Sequence, residues 1–178
     1  MEKLTFSKTN TKLAKLAKKT GKKVISFNLP TGKTCPQAHK CLAWVTNKKG
    51  KRKVHDGKHA EFRCYAASLE ALYKNVYLSR QRNLKLLKQC SSVEEMSTLI
   101  QNSMPKADIV RIHSSGDWFS QDYFDAWLQV IKTHPKMRFY AYTISLNFWL
   151  ARKDSIPKNF KLTASYGGKL DSYIKKYN

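Results

Sequence analysis

Acidic residues are scarce in this chain. Of its 178 residues only 12 are Asp or Glu, against 34 Lys or Arg, for a formal charge of +22. Sites for hard divalent cations are built from several carboxylates together, so a nuclease working through such an ion is disfavoured from the outset. Long apolar runs are missing as well. No segment reaches the roughly 18 consecutive apolar residues that a membrane-spanning helix needs. Met1 to Lys23 has no apolar core of a secretory signal. It carries eight Lys and one acid but no Arg, which also departs from the Arg- and Ser-rich composition of transit peptides. The expectation is a cytoplasmic protein with no membrane partner. Cysteine is sparse, with four residues. In a reducing compartment these count as metal ligands, reactive thiols or core residues before they count as disulfides.

What is present is enough apolar and aromatic sequence for one domain with a real core. The charge is unevenly spread. Residues 1–63 hold 17 Lys/Arg against 3 acids, and residues 64–178 hold 17 against 9. That excess points to a polyanion, because Lys and Arg displace the counterions condensed on a nucleic-acid backbone. The alternative is a solvated basic surface. Residues 1–23 read as a basic amphipathic arm, with Leu13, Leu16 and Ala17 on one stripe and Lys18 and Lys19 beside it. The arm either packs on the body or is ordered by a polyanion. A second basic element lies in the loop at 46–63, where Lys48, Lys49, Lys51, Arg52 and Lys53 surround a turn-like Asn-Lys-Lys-Gly. That segment predicts a basic hairpin or a flexible tongue.

Residues 24–178 read as a single α/β domain. A strand over 24–29 is stopped by Pro30 and Gly32. Helical periodicity runs from Ser68 to Gln89. Ser92 and Glu95 form a capping box that opens a helix to about Gln101, and Pro105 ends it. Strands follow at 107–112, 137–145 and 161–165, with helices from Ser120 and from Leu146 between them. Alternating strands and helices imply a parallel sheet with right-handed crossovers. The chain is too short for a closed eight-stranded barrel, so an open or partial parallel β/α barrel is expected.

Two regions carry chemistry. Cys35 and Cys41 bracket a Pro-containing loop just after the first strand, and Cys64 follows before a helix. Together they suggest a thiolate site for zinc or an iron–sulfur cluster, although their spacing matches no C-x-x-C pair. The competing view is that Cys64, like Cys90, is a small core residue. His39 could be a fourth ligand or a solvated loop residue. The second region is Arg111-Ile112-His113-Ser114-Ser115-Gly116-Asp117, at the carboxyl end of a strand, where open α/β sheets bind ligands. Alternation sends Arg111 and His113 to one side of the sheet. In a functional reading, His113 is general base or ligand, Asp117 orients it or is itself a cation ligand, and Arg111 clamps an anion. In the opposing reading Asp117 bonds loop amides in a buried network and the serines serve as caps. Ser114, Ser115, Tyr140, Tyr142, Ser145 and Ser165 would extend the same rim.

Taken together, Cys35-Pro36-x-Ala38-x-x-Cys41, Cys64-Tyr65-Ala66 and Arg111-x-His113-Ser114-Ser115-Gly116-Asp117-x-Phe119-Ser120 resemble the phage gene-product-eighty-eight family. The likeness continues through Phe139-Tyr140-Ala141-Tyr142-Thr143 and Ser165-x-Gly167-Gly168. It implies a phage or mobile-element origin, hence the host cytoplasm, and a cysteine-linked metal centre. The layout is also similar to a reduced relative of radical S-adenosylmethionine barrels, which would add S-adenosylmethionine as a cofactor. The chain departs from the family pattern in ending without a cysteine-rich tail, and in separating Cys41 from Cys64 by the basic insert. Two functions follow. One is a metal-dependent enzyme modifying nucleic acid, DNA or RNA. The other is a non-catalytic module that grips nucleic acid, a nucleoprotein or a host nucleic-acid enzyme.

Overall fold

The computed structural model describes residues 2–8 and 10–177. Its centre is a five-stranded sheet in the order β1-β2-β5-β6-β7. The strands are β1 (Phe6–Ser7), β2 (Val24–Phe27), β5 (Ile109–Ile112), β6 (Arg138–Thr143) and β7 (Phe160–Ala164). β2, β5, β6 and β7 are parallel, and β1 is an antiparallel edge. The expected partial barrel is corrected here. Among the described residues the sheet is open, with β1 and β7 at its two edges.

Strand register divides the sheet into two faces. Phe27, Ile112, Ala141 and Leu162 form one cross-strand row, and Ser26, Arg111, Tyr140 and Lys161 the row beside it. Since successive side chains alternate, the first row faces the main core and the second the opposite side. The main core is closed by α3 (Lys74–Gln89), α4 (Val93–Ser103) and α5 (Gln121–Lys132), through Leu87, Ile100, Trp127 and Ile131. On the other face α1 (Thr11–Thr20) sets Leu13 against Val24 and Ile109. The N-terminal arm is therefore packed on the body. Asn10 caps α1 by accepting from the Leu13 N–H, and Gly21 ends it.

The basic loop forms an antiparallel hairpin, β3 (Ala43–Lys48) and β4 (Lys51–Asp56). Lys49 and Gly50 both have positive φ, 49° and 85°, as the favoured two-residue hairpin turn requires. The single helix expected over 68–89 is interrupted. α2 (Tyr65–Leu72) and α3 are separated by Tyr73, which is extended at φ −107° and ψ 108°. No Pro or Gly marks that break, so periodicity alone runs straight through it. Short helices α6 (Leu146–Leu150) and α7 (Asp171–Lys176) complete the chain, and α7 has no counterpart in the sequence reading. Among the described residues, no helix is long and apolar enough to cross a membrane.

Candidate functional site at the carboxyl edge of the sheet

The loops after β2, β5, β6 and β7 meet at one edge. After β2 the chain turns through Pro30 and Gly32 into the Cys35–Cys41 loop. That loop is pinned to the segment after β7: Lys40 N–H donates to the Gly167 carbonyl, Lys169 N–H donates to the Gln37 carbonyl, and Ala38 bridges Gly168. Cys64 stands at the start of α2. The folded chain thus draws Cys35, Cys41 and Cys64 from separate segments to one place. Burial raises the proton affinity of Cys35 and Cys41 most; negative charge on Asp117 and Cys64 adds to it at both, and charge on Cys41 adds to it at Cys35. For Cys35 the thiol is pushed well above its ordinary range. Cys90 sits apart, at the end of α3 against the main core, with its thiol 3.5 Å from the Leu86 carbonyl.

Asp117 lies within electrostatic reach of Cys35 and Cys41 and is fully engaged. One oxygen accepts from Trp118 N–H at 2.8 Å and Thr143 Oγ at 2.7 Å. The other accepts from the Ile144 and Ser145 N–H groups at 3.0 and 3.2 Å, and from Ser145 Oγ at 3.1 Å. Burial raises its pKa to about 6 against these bonds. The carboxylate thereby ties the loop after β5 to the loop after β6. Gly116 makes the approach possible. Its φ is +78°, and a Cβ there would stand 2.6 Å from Thr34 Oγ and 2.7 Å from Leu29 Cβ, closer than real contacts allow.

His113 departs from the expected alternation. Its φ is +65°, a left-handed turn that carries the side chain away from Arg111's side and into the aromatic core. The ring packs 4.5 Å from Trp118, and Nε2 is 2.9 Å from the Tyr123 hydroxyl. Burial, helped by the charge of Arg111, lowers its pKa to about 3, so the imidazole is neutral and its partner is a core phenol. The expected pairing of His113 with Asp117 is corrected: Asp117's bonds go to other groups, and His113 is buried in the core. Arg111 instead points to the opposite face, with its guanidinium 5.6 Å over the Tyr142 ring.

The other rim residues divide by role. Ser115 is buried and donates to the Leu29 carbonyl. Ser114 N–H donates to Asn28 Oδ1 at 2.9 Å, and its carbonyl accepts from Tyr65 OH at 2.6 Å. Ser165 N–H donates to the Thr143 carbonyl, prolonging the ladder. Tyr140 is half-buried and Tyr142 exposed. Exposed rings of Phe62, Tyr65, Tyr142 and Tyr166 surround the edge. Sequence reasoning missed Tyr65 and the buried pair Glu70–Arg80. Glu70 Oε1 accepts from Arg80 Nη1 at 3.0 Å and from Thr31 N–H at 2.9 Å, joining α2 and α3 to the loop after β2. The only local signal was a charged residue on an otherwise apolar helical stripe.

The basic residues fare differently from one another. Lys48, Lys49, Lys51 and Lys53 are exposed on the hairpin, as are Lys18 and Lys19 on α1. Arg52 is not free, since it bonds the carbonyls that end α2.

As a metal site the thiols fit in donor chemistry. Negative charge on Cys64 and Asp117 adds to burial in raising the proton affinity of Cys35 and Cys41, and a cation among the thiols would relieve that repulsion. Asp117 is no ligand, because its oxygens are already taken, and His39 stacks on His59 at 4.7 Å. Among the described residues, no three His, Cys, Asp or Glu side chains stand in ligating geometry.

The model of the gene product 88 family matches residues 4–178, and the chain belongs to that family. Two similar proteins are the gene 88 proteins of Mycobacterium phage L5 and Mycobacterium phage D29, each 30% identical over 129 residues. Each match covers 66% of this chain and 46% of the relative, so the chain spans about half the length of the curated relatives it matches. No solved structure matches. The open sheet and that result leave the likeness to radical S-adenosylmethionine barrels without support.

Proposed function

We propose, starting from membership in the gene product 88 family, that this chain acts on nucleic acid through a three-thiolate metal centre at the carboxyl edge of its sheet. The observation that carries the reading is that Cys35 and Cys41, on the loop after β2, lie within electrostatic reach of Cys64 and of Asp117. Burial raises the proton affinity of Cys35 and Cys41, and a protonated thiol is a poor nucleophile, which argues against a free catalytic cysteine; a cation would favour the thiolate form instead. Cys35, Cys41 and Cys64 would hold zinc or an iron–sulfur cluster, which would supply Lewis-acid or redox chemistry there. The chain's own residues hold the setting. Asp117 fixes the loops after β5 and β6, and the exposed rings of Phe62, Tyr65, Tyr142 and Tyr166 offer faces on which bases stack. The charge of +22 draws the polyanion in.

The test is metal analysis with an absorption spectrum on protein purified without oxygen. The expected result is a stoichiometric metal or cluster that is lost when Cys35, Cys41 and Cys64 are replaced together by Ser. Cys90→Ser should retain it. Equal metal in wild type and the triple variant overturns the reading.

A second reading, a non-catalytic binding module, is favoured by the exposed lysines of the β3–β4 hairpin. It predicts salt-dependent nucleic-acid binding that survives the triple cysteine replacement. In that case the thiols are structural.

A further inference from the structure

On the face of the sheet opposite the main core lies a cavity of about 390 Å³, within the range of sites for small organic ligands. Its floor is Ser26 and Arg111 from the sheet, and its sides are Ser7, Asn28, Tyr65 and Arg80. The two guanidiniums there differ. Arg80 is neutralised by Glu70 at 3.0 Å. Arg111 has no carboxylate within ion-pair distance among the described residues, and its Nε is buried with no hydrogen-bond partner among them.

A buried donor left unmatched is costly, and here it is the Nε of a half-buried guanidinium. Packing does not explain this arrangement, because the guanidinium lies over the Tyr142 ring on one side and lines the cavity on the other. The neighbouring Ser7 and Ser26 hydroxyls accept from Asn28 Nδ2 at 3.4 and 3.1 Å, so their own protons are free to point into the hollow. Donors converge, and acceptor charge is what is lacking. The Leu69 and Val76 side chains give the cavity an apolar wall, and its volume exceeds what a bare oxyanion fills.

We infer that this cavity binds a phosphomonoester of mononucleotide size, with the Arg111 guanidinium and the Ser7 and Ser26 hydroxyls holding the phosphate and Tyr65, Leu69 and Val76 flanking the nucleoside. A planar guanidinium matches phosphate with two parallel hydrogen bonds. The same group can arrive as a free mononucleotide or as the phosphorylated end of a strand. The assignment rests on Arg111 and the cavity alone and needs neither the thiols nor the basic hairpin, so it stands or falls apart from the metal reading.

Calorimetric titration of the full chain with adenosine 5′-monophosphate and with adenosine decides it. The nucleotide is expected to bind at least tenfold more tightly than the nucleoside, and Arg111→Gln to erase that difference. Ser7→Asp places a like charge at the exposed rim and serves as a second variant with little risk to folding. It too should weaken the nucleotide by at least tenfold. Short oligonucleotides with a 5′-phosphate or a 5′-hydroxyl separate the two sources. A preference for the phosphorylated strand assigns the site to strand ends, and binding of the mononucleotide alone assigns it to a free metabolite. Equal binding of nucleotide and nucleoside, or full nucleotide affinity in folded Arg111→Gln and Ser7→Asp, overturns the inference.

Discussion

The guanidinium of Arg52 closes the end of the helix that bears Ala71. Its Nε stands 3.0 Å from the Ala71 carbonyl and 3.1 Å from that of Glu70, while Nη2 is 3.3 Å from that of Leu72. Helix C-termini leave carbonyls unpaired and carry partial negative charge, so a cation from a neighbouring hairpin satisfies both needs. The contact couples β4 to α2 and fixes the hairpin on the body. It also removes Arg52 from the set of cations available to a polyanion.

Arg52 should therefore behave unlike the lysines around it. Arg52→Ala is expected to cost about 1–3 kcal/mol of stability, the scale of charged hydrogen bonds. Replacing Lys48, Lys49, Lys51 and Lys53 by Gln should change stability by less than about 0.5 kcal/mol. The fourfold variant should flatten the dependence of log K on log salt by roughly 3 units. Urea melts and nucleic-acid titrations across salt check both halves. An unchanged slope would place the hairpin away from the interface.

Glu70 and Arg80 form a pair buried on both sides, with side chains 1% and 9% exposed. Glu70→Ala strands the guanidinium and the Thr31 amide together, and the expected loss is about 3–5 kcal/mol. Glu70→Gln, which keeps one acceptor for Thr31, should lose less. The readout is the urea midpoint at constant slope. A loss below 1 kcal/mol for the alanine variant would mean water reaches the pair.

The neutral imidazole of His113 makes stability depend on pH. Its folded pKa is about 3 against an ordinary 6.5, so between those values the unfolded chain holds more protons and stability rises with pH. The contribution is complete above pH 6.5 and is lost as pH falls toward 3. Asp117, raised to about 6 from 3.8, acts in the opposite sense: its contribution is greatest below pH 3.8 and is lost as pH rises through 6. Subtracting the stability of His113→Asn from that of wild type isolates the histidine, and Asn tolerates the left-handed turn. That difference should climb with pH between 3 and 6.5 by up to about 1.4 kcal/mol per unit. A flat difference would mean the ring is charged or solvated.

Leu13 decides how the arm is held. It is 1% exposed against Val24 and Ile109, and Leu13→Ala should cost about 2–5 kcal/mol in the absence of any nucleic acid. If thermal melts of the variant matched wild type, the arm would be ordered by a partner and not by the sheet.

Periodicity and turn chemistry made much of the fold legible in the sequence. The four parallel strands and the helices from Ser92 and Ser120 follow from local signals that the folded chain keeps, and the Lys49–Gly50 hairpin is one of the two forms those signals allowed. The break at Tyr73 was not legible, because no Pro or Gly marks it and the Arg52 contact at the end of α2 comes from a distant hairpin. The thiols were legible as a group by their residue type, and Cys90 was rightly set apart. His113 was misplaced for a physical reason. Strand alternation holds only while φ stays negative, and one left-handed residue at the strand end turned the ring into the Trp118–Tyr123 core. Arg111, one position inside the strand, kept its side and was left alone over a cavity. Local sequence thus determined the charge, the elements and the candidate chemistry. Which of Arg111, His113 and Asp117 faces solvent, core or thiols was decided only by tertiary packing, since a single backbone torsion and the partners across the sheet outweigh any spacing along the chain.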